Sequence, residues 1–208
     1  MSGRATVGVA AGLAAIAATA GLAFTHGSSA SSTLGPEGVP IPTAPPLTRS
    51  TRPVGIGERV DGIACQAHEQ VLFHIHAHLT IFVRGRARQV PAGIGIGAPY
   101  EVLETRAGAF VAGATCFMWL HTHSADGIIH TESPIRRTYT LGDFFDIWGQ
   151  PLGPDRVGPA RGRVAVFVAG RRYEGDPRSV PLLAHAQIQL DVGAPPVAPE
   201  RIAFPPGL

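Results

Sequence analysis

The sequence lacks several features that mark common classes of protein. It contains no lysine, so all 17 basic side chains are arginines, and its 208 residues carry a formal net charge of only +2. This near-neutral balance, without a basic run, gives no indication of nucleic-acid binding. No G-x-G-x-x-G opens a predicted helix, and the chain has no P-loop, nucleophile elbow or His-Glu-x-x-His segment. The motifs of nucleotide-binding proteins, serine hydrolases and zinc proteases are therefore missing.

Sulfur is also scarce, with two cysteines and two methionines in the whole chain. Soft Cu(I) sites usually gather several such ligands, so a Cu(I) site is disfavoured. In an exported protein two cysteines indicate a disulfide, here between Cys65 and Cys116, which would stabilise the fold by a few kcal/mol. The alternative is that one of the two cysteines binds a metal.

The N-terminal segment is apolar. Residues 5–25 carry no charge and follow Arg4, and their length just reaches the roughly 20 residues that cross a membrane. We predict that residues 1–26 are a signal peptide or a membrane anchor, with small-residue cleavage sites at 18–20 and 28–30. Both alternatives place the rest of the protein outside the cytoplasm, and the membrane is a partner if the helix is not cleaved.

The remaining chain divides by composition. Residues 27–59 are rich in Ser, Thr, Gly and Pro, which predicts a disordered linker. Residues 60–193 form a predicted β-rich domain, and residues 194–208 a Pro-rich C-terminal tail. The domain is expected to be mainly β, an antiparallel sandwich or open barrel with one short helix.

The short helix has clear boundaries in the sequence. Thr140 and Asp143 resemble a capping box, and Gly149 can end the helix. An apolar side formed by Leu141, Phe144, Phe145 and Trp148 would face the core.

Seven of the nine histidines lie between positions 68 and 130, and three of them alternate along one predicted strand. His74, His76 and His78 are two residues apart, so their side chains share one face of a β-strand. The opposite face is apolar, which is a core-facing pattern. Imidazole is a common ligand for Zn, Cu, Fe and Ni.

A second histidine segment follows about forty residues later. A predicted strand over residues 116–123 carries His121 and His123 on one face. Asp126-Gly127 then predicts a hairpin, with His130 and Glu132 on the returning strand. A two-residue turn would place His123 opposite His130, and a four-residue loop would place His121 opposite His130; in both registers the four side chains share a face.

A cluster of imidazoles is unfavourable when charged and leaves polar atoms to satisfy when neutral, and a metal ion removes both problems. The predicted ligands are His74, His76, His78, His121, His123, His130 and Glu132. Many nitrogen donors and few sulfurs favour Cu(II) or Zn(II), with Fe as a further alternative. Metal handling or buffering is the main hypothesis, with no protein partner assigned.

Two alternatives stay open. An extracytoplasmic metalloenzyme would use two or three His with Glu132 and keep one coordination position free. The His-x-His with a later acid is similar to the metal site of cupins, although Glu132 follows at a longer spacing, and residues 119–123 resemble a copper-binding segment of multicopper oxidases. The other alternative is an envelope structural protein or pH sensor.

Four motifs within residues 60–193 carry a broader resemblance. They span residues 74–79, 90–96, 121–130 and 141–152. They resemble those of a group of uncharacterised exported bacterial proteins with no known activity, so the resemblance implies export and not a reaction.

Overall fold

The computed structural model describes Met1 and residues 33–208. In this part of the chain the strands are β1 (Thr33–Leu34), β2 (Pro40–Ile41), β3 (Arg59–Val60), β4 (Ile63–Gln66), β5 (Phe73–Val83), β6 (Arg86–Arg88), β7 (Ile96–Gly97), β8 (Glu101–Thr105), β9 (Gly108–Gly113), β10 (Cys116–Met118), β11 (Leu120–His121), β12 (Ile128–Ser133), β13 (Tyr139–Thr140), β14 (Leu152–Gly153), β15 (Arg156–Val157), β16 (Ala160–Arg161), β17 (Val164–Val168), β18 (Arg171–Tyr173), β19 (Pro181–Leu182) and β20 (Gln187–Val192). The helix α1 covers Leu141–Trp148, and a 3-10 turn covers Pro177–Ser179. The prediction of a mainly β protein with one short α-helix is confirmed for the described residues.

A seven-stranded sheet built around β5 forms the centre of the molecule. Its order is β11-β12-β5-β20-β17-β18, and β6 pairs with the far end of β5. Strand β12 runs antiparallel to residues 73–78 of β5, and β20 runs parallel to residues 78–83. The sheet is therefore mixed, whereas the sequence predicted antiparallel strands alone. The parallel pair joins segments about a hundred residues apart, which local hydrophobic alternation does not encode.

The predicted strand over residues 116–123 is divided in the structure at Trp119. Strand β10 belongs to a second sheet of order β3-β4-β10-β7, whereas β11 belongs to the central sheet. The predicted disulfide between Cys65 and Cys116 is present and joins β4 to β10. The Trp119 indole N–H donates to Gln66 Oε1 at 2.6 Å, again tying the crossing point to β4. One continuous segment thus passes from one sheet to the other before it reaches the histidines.

Helix α1 begins and ends where the sequence predicts. The Thr140 and Asp143 side chains form a reciprocal capping box, and Gly149 ends the helix at φ 74°. The apolar side is fully buried, with Phe144 and Trp148 in the main core.

Segments on either side of the domain lie against it. The described part of the predicted linker, residues 33–59, contains β1, β2 and the start of β3, and a bridge joins Pro46 to Gln89. In the tail, the backbone N–H of Val197 donates to the buried carboxylate of Asp191 at 2.8 Å. Apart from Met1, the predicted signal or anchor over residues 1–26 lies outside the described residues. The described residues include no helix with the length and apolarity needed to cross a membrane.

Candidate metal centre

Three neighbouring strands place a set of histidines on one face of the central sheet. In the ladder His76 lies opposite His130, His74 opposite Glu132, and His121 opposite His130. The last pairing is the register of the four-residue loop. Because directly opposed residues point to the same side of a sheet, β5, β12 and β11 converge on one polar cluster.

The first set of donors in this cluster is a pair of histidines, His121 and His123, which face each other through Nε2 at 3.0 Å. Their opposite nitrogens are fixed by the backbone: Nδ1 of His121 lies 2.8 Å from the Met118 carbonyl, and Nδ1 of His123 lies 2.5 Å from the Val111 carbonyl. A carbonyl oxygen can only accept, so each Nδ1 carries a proton, and in that tautomer Nε2 is the nitrogen with the lone pair. Two lone pairs at this distance repel, and a cation between them removes the repulsion.

A second set of donors forms a closed ring. His74 Nε2 lies 3.1 Å from His76 Nε2, which lies 3.1 Å from His130 Nδ1. Glu132 Oε1 completes the ring at 3.4 Å from His130 Nδ1 and 3.1 Å from His74 Nε2. Around a tetrahedral ion with bonds of about 2.0–2.1 Å, neighbouring donors lie about 3.3 Å apart. The three imidazole nitrogens have a spacing that suits one ion and form a group of mutually close donors, with Glu132 Oε1 adjoining His74 and His130.

The two sets of donors adjoin. Ligand atoms of His121, His123, His130 and Glu132 all lie within 4.8 Å of one another, and those of His74, His76 and His130 form a second such group. All of these residues except His74 are at least nine-tenths buried. The clusters could hold a metal ion, and six of the seven residues predicted from the sequence belong to them.

His78 is the predicted ligand that the structure places outside both groups. Its Nε2 lies 2.8 Å from the Asp126 carbonyl, and its Nδ1 lies 3.4 Å from the Thr80 hydroxyl. It lines a different cavity of about 350 Å³. Although His78 shares a strand face with His76, the Asp126-Gly127 turn packs over its position on β5. The Asp126 carbonyl therefore takes up Nε2 of His78 as a hydrogen-bond donor.

Two carboxylates that the sequence did not single out reach the cluster. Glu37, from the predicted linker, accepts from His130 Nε2 at 2.6 Å, and its side chain is 5% exposed. Glu69, in the turn before β5, has Oε1 at 3.4 Å from His123 Nε2. Neither residue lies in a periodic pattern or beside a recognised motif, so no sequence signal indicates its position.

Burial and neighbouring charges lower the pKa of some histidines in the cluster and raise the pKa of another. Burial, with repulsion from His130 and His74, lowers the pKa of His76 to about 3, and burial lowers the pKa of His121 well below its ordinary value. Burial also opposes a charge on His130, but its hydrogen bonds to Glu132 and Glu37 outweigh that effect and raise its pKa to about 9. Neutral rings are ready to bind a metal, whereas His130 must release its Nδ1 proton to do so.

The carboxylate of Glu37 is hydrogen-bonded to the outer nitrogen of His130 and lies close to Asp126. Burial opposes its charge, but the hydrogen bond with His130 lowers the pKa of Glu37. Burial and the neighbouring Glu37 raise the pKa of Asp126 to about 7. A carboxylate on the outer nitrogen of a metal-binding histidine fixes the ring and strengthens its donor atom. Glu37 has this position relative to His130.

A cavity of about 480 Å³ opens over the cluster. His74, His123 and Glu132 reach it, and its walls include Pro36, Ala112 and Phe110. The Phe110 ring stacks on His123 with centroids 4.7 Å apart and planes 12° apart. The cluster is thus enclosed by protein on the sheet side and open toward an apolar-walled space.

No protein-family description, curated protein or solved structure matches this chain in comparisons with known proteins. The fold and the site define a mainly β protein whose buried His and Glu clusters could hold a metal ion.

Proposed function

We propose that this is an exported protein that binds a transition metal, Cu(II) or Zn(II), through its clustered histidines and serves in metal handling or buffering. The observation that carries the proposal is the pair His121 and His123. Their Nε2 atoms are 3.0 Å apart, and both Nδ1 protons are committed to carbonyls. Backbone contacts of this kind orient imidazoles toward a metal in known sites.

The donor set supports the choice of metal. It consists of imidazole nitrogens and carboxylate oxygens, which suit Cu(II) and Zn(II) and also Fe. Met118 is buried beside the cluster, but its carbonyl rather than its sulfur is the atom in contact with His121. Both cysteines are in the disulfide. A thiolate-based Cu(I) site is therefore disfavoured.

The cellular location rests on two kinds of support. A disulfide suggests an oxidising compartment outside the cytoplasm. The apolar segment of residues 5–25 and the resemblance to exported bacterial proteins point the same way. Export, by a cleaved signal or with a retained anchor, is part of the proposal.

An extracytoplasmic metalloenzyme is the second candidate. The cavity of about 480 Å³ favours it, because a small molecule there would lie beside His123 and Glu132. A catalytic metal keeps an open coordination position, whereas a structural one is closed by protein ligands. Exchange of a metal-bound water for an added anion such as azide, seen in the Cu(II) absorption spectrum, would favour this candidate over buffering.

Metal content tests the proposal directly. The full chain is exported with its disulfide formed, purified without a His-tag or nickel column, and analysed by elemental mass spectrometry before and after dialysis against Cu(II) or Zn(II). We expect at least one equivalent of metal per chain. The His121→Gln/His123→Gln variant should hold one equivalent less than the parent.

The matched control is His68→Gln, which removes an exposed imidazole that belongs to neither group. It should retain the metal content of the parent. If the parent neither carries nor takes up metal, the metal-binding proposal is wrong, and a partner-binding or pH-sensing role for the histidine face takes its place.

A further inference from the structure

We propose that the cluster is a two-ion centre in which the carboxylate of Glu132 bridges the metals. This inference rests on the proposed metal binding and specifies its stoichiometry and architecture. Three observations carry it: the number of donors, their division into two sets, and the position of Glu132 between the sets.

The donors outnumber what one ion accepts. Zn(II) in proteins usually has four ligands in all. The side chains that meet here are His74, His76, His121, His123, His130, Glu69 and Glu132. A single ion with four ligands would therefore use only part of this donor set.

The donors are assigned to two subsites by the shortest distances between them, although His130 and Glu132 also lie within 4.8 Å of His121 and His123. Subsite A contains Nε2 of His121 and His123, 3.0 Å apart, with Glu69 Oε1 at 3.4 Å from His123 and 4.0 Å from His121. Subsite B contains Nε2 of His74 and His76 with Nδ1 of His130, and successive atoms are 3.1 Å apart. Different elements hold the histidines of each set: β11 and the turn that follows it for subsite A, and β5 with β12 for subsite B. Glu69 of subsite A comes from the segment before β5.

Glu132 offers one oxygen to each subsite. Its Oε1 lies 3.1 Å from His74 Nε2 and 3.4 Å from His130 Nδ1, within subsite B. Its Oε2 lies 4.0 Å from His121 Nε2, on the side of subsite A. This second oxygen is buried and has no hydrogen-bond partner among the described residues. A buried carboxylate oxygen without a partner is costly, and a metal ion in subsite A would be its partner.

The subsites are close enough for one carboxylate to span. The His121 and His130 rings, one from each subsite, stack with centroids 5.3 Å apart and planes 9° apart. Ions in known two-metal sites lie roughly 3.5–4 Å apart. Each subsite has one partly exposed ligand that lines the cavity: the His74 side chain in subsite B is 38% exposed, and the Glu69 side chain in subsite A is 36% exposed.

Copper titration of the metal-free full chain, with its disulfide intact, tests the inference. Equilibrium dialysis should give two Cu(II) per chain. Electron paramagnetic resonance should show an isolated Cu(II) signal at the first equivalent. At the second equivalent the intensity per copper should fall, because two Cu(II) ions bridged by a carboxylate couple magnetically. Zn(II) should also bind at two equivalents by elemental analysis.

Three variants and one control locate the ions. His121→Gln/His123→Gln and His74→Gln/His76→Gln should each retain one uncoupled Cu(II). Glu132→Gln removes the bridging charge, so the magnetic coupling should be lost and the second equivalent should bind at least tenfold more weakly. Glu104→Gln changes an exposed carboxylate on β8 and should behave as the parent. Circular dichroism establishes that each variant is folded, and the parent's stoichiometry and coupling decide the matter if one is not.

The outcomes separate this inference from the proposed function. One equivalent in the parent overturns the two-ion centre and leaves metal binding intact. No binding overturns both. Two equivalents without magnetic coupling, or two that survive loss of either histidine pair, overturn the bridge by Glu132.

Discussion

At the scale of single residues, the centre depends on which ring nitrogen each histidine turns toward the cluster. His121 and His123 present Nε2 because Nδ1 is held by a carbonyl, whereas His130 presents Nδ1 because Nε2 is held by Glu37. The group bonded to the outer nitrogen matters as much as the histidine itself, because it fixes the tautomer and the plane of the imidazole ring. Sequence spacing predicts the strand face on which a histidine lies, but it does not predict which ring nitrogen points into the cluster.

The contact between Glu37 and His130 gives a first prediction. Glu37→Gln removes the charge that orients the ring and strengthens Nδ1 as a donor, so Cu(II) affinity should fall by about 10–100-fold. Competition with a chelator of known affinity measures the change. Glu104→Gln, an exposed carboxylate outside the cluster, should leave the affinity unchanged. Equal affinities for parent and Glu37→Gln would show that Glu37 does not support a metal ligand.

The buried neutral histidines give a second prediction, on the stability of the metal-free protein. Burial lowers the pKa of His76 to about 3, that of His78 to about 4 and that of His121 well below 6.5. Below pH 6.5 the unfolded chain therefore binds more protons at these positions than the folded protein does, and stability falls as pH falls. Each such group contributes up to about 1.4 kcal/mol per pH unit. Asp126, with its raised pKa of about 7, acts in the opposite direction, as do Asp191 and Glu200, whose pKa values burial also raises.

His130 limits stability on the alkaline side. Its folded-state pKa of about 9 lies above its ordinary value, so its contribution is complete below pH 6.5 and is lost as the pH rises through 9. Urea unfolding of the metal-free chain should therefore give its highest midpoint near neutral pH, with lower midpoints at pH 5 and above pH 9. A midpoint as high at pH 5 as at pH 7 would contradict the assignment of neutral, buried rings.

At the scale of elements, the turn between β11 and β12 fixes the register of the whole cluster. The carbonyl of Gly127 accepts from the backbone N–H of Leu79 at 2.9 Å, so the turn packs directly on β5. A Cβ at Gly127 would overlap the Leu79 carbonyl and touch His78, and φ is +90° there. Glycine is needed at this position both for its backbone conformation and for the close approach.

Two alanine substitutions separate these effects. Gly62 has a similar φ of +77°, and a Cβ added there would have no atom within 4 Å, so Gly62→Ala should cost only the left-handed backbone term, about 1–2 kcal/mol. Gly127→Ala should cost about 1–3 kcal/mol more, because the turn must move off β5. Urea unfolding of both variants measures the difference. Equal losses would mean that the turn is not packed tightly on β5.

At the scale of the whole molecule, the disulfide stabilises the second sheet close to the point where the chain crosses into the central sheet. It joins β4 to β10, and the chain continues from β10 through Trp119 into β11 and His121. With a sequence separation of 51 between the cysteines, loop-closure entropy accounts for about 4 kcal/mol of stability. Cys65→Ala/Cys116→Ala should lower the free energy of unfolding of the metal-free chain by about this amount, measured by urea denaturation. An unchanged free energy would show that the bond does not constrain the unfolded chain in this way.

Metal binding should offset part of that loss. A ligand present at about 100 times its dissociation constant adds about 2.7 kcal/mol to the stability of a folded protein. Unfolding of the cysteine variant with and without Zn(II) measures this effect, and the variant that also carries His121→Gln/His123→Gln should gain less. An identical gain in both proteins would place the bound metal away from subsite A.

Several features of the fold and site follow from local sequence. The capping residues Thr140 and Gly149 set the ends of α1, and their effect operates within one helical turn. Alternation along β5 put His74 and His76 on one face, and the Asp126-Gly127 turn predicted the hairpin. The pairing of Cys65 with Cys116 also needed no structural knowledge, since the chain contains no other cysteine.

The features that sequence reasoning missed depend on contacts between distant segments. Strand β20 is parallel to β5, β10 and β11 lie in different sheets, and the Asp126-Gly127 turn draws His78 away from the cluster. Glu37 comes from 93 positions before His130. A period of two residues states which side chains share a face, but it carries no information about which other strand or loop will lie against that face.

The sequence by itself determined the mainly β character, the single short helix, the disulfide and the two histidine faces, because each depends on spacing, capping or composition within a short stretch. The tertiary structure alone decided that the two faces meet across β5, β12 and β11, that His130 and Glu132 stand between them, and that Glu37 and Glu69 complete the surroundings. The physical reason is that a metal centre is defined by distances of about 3 Å between donors, and such distances are set by the packing of segments that are far apart along the chain.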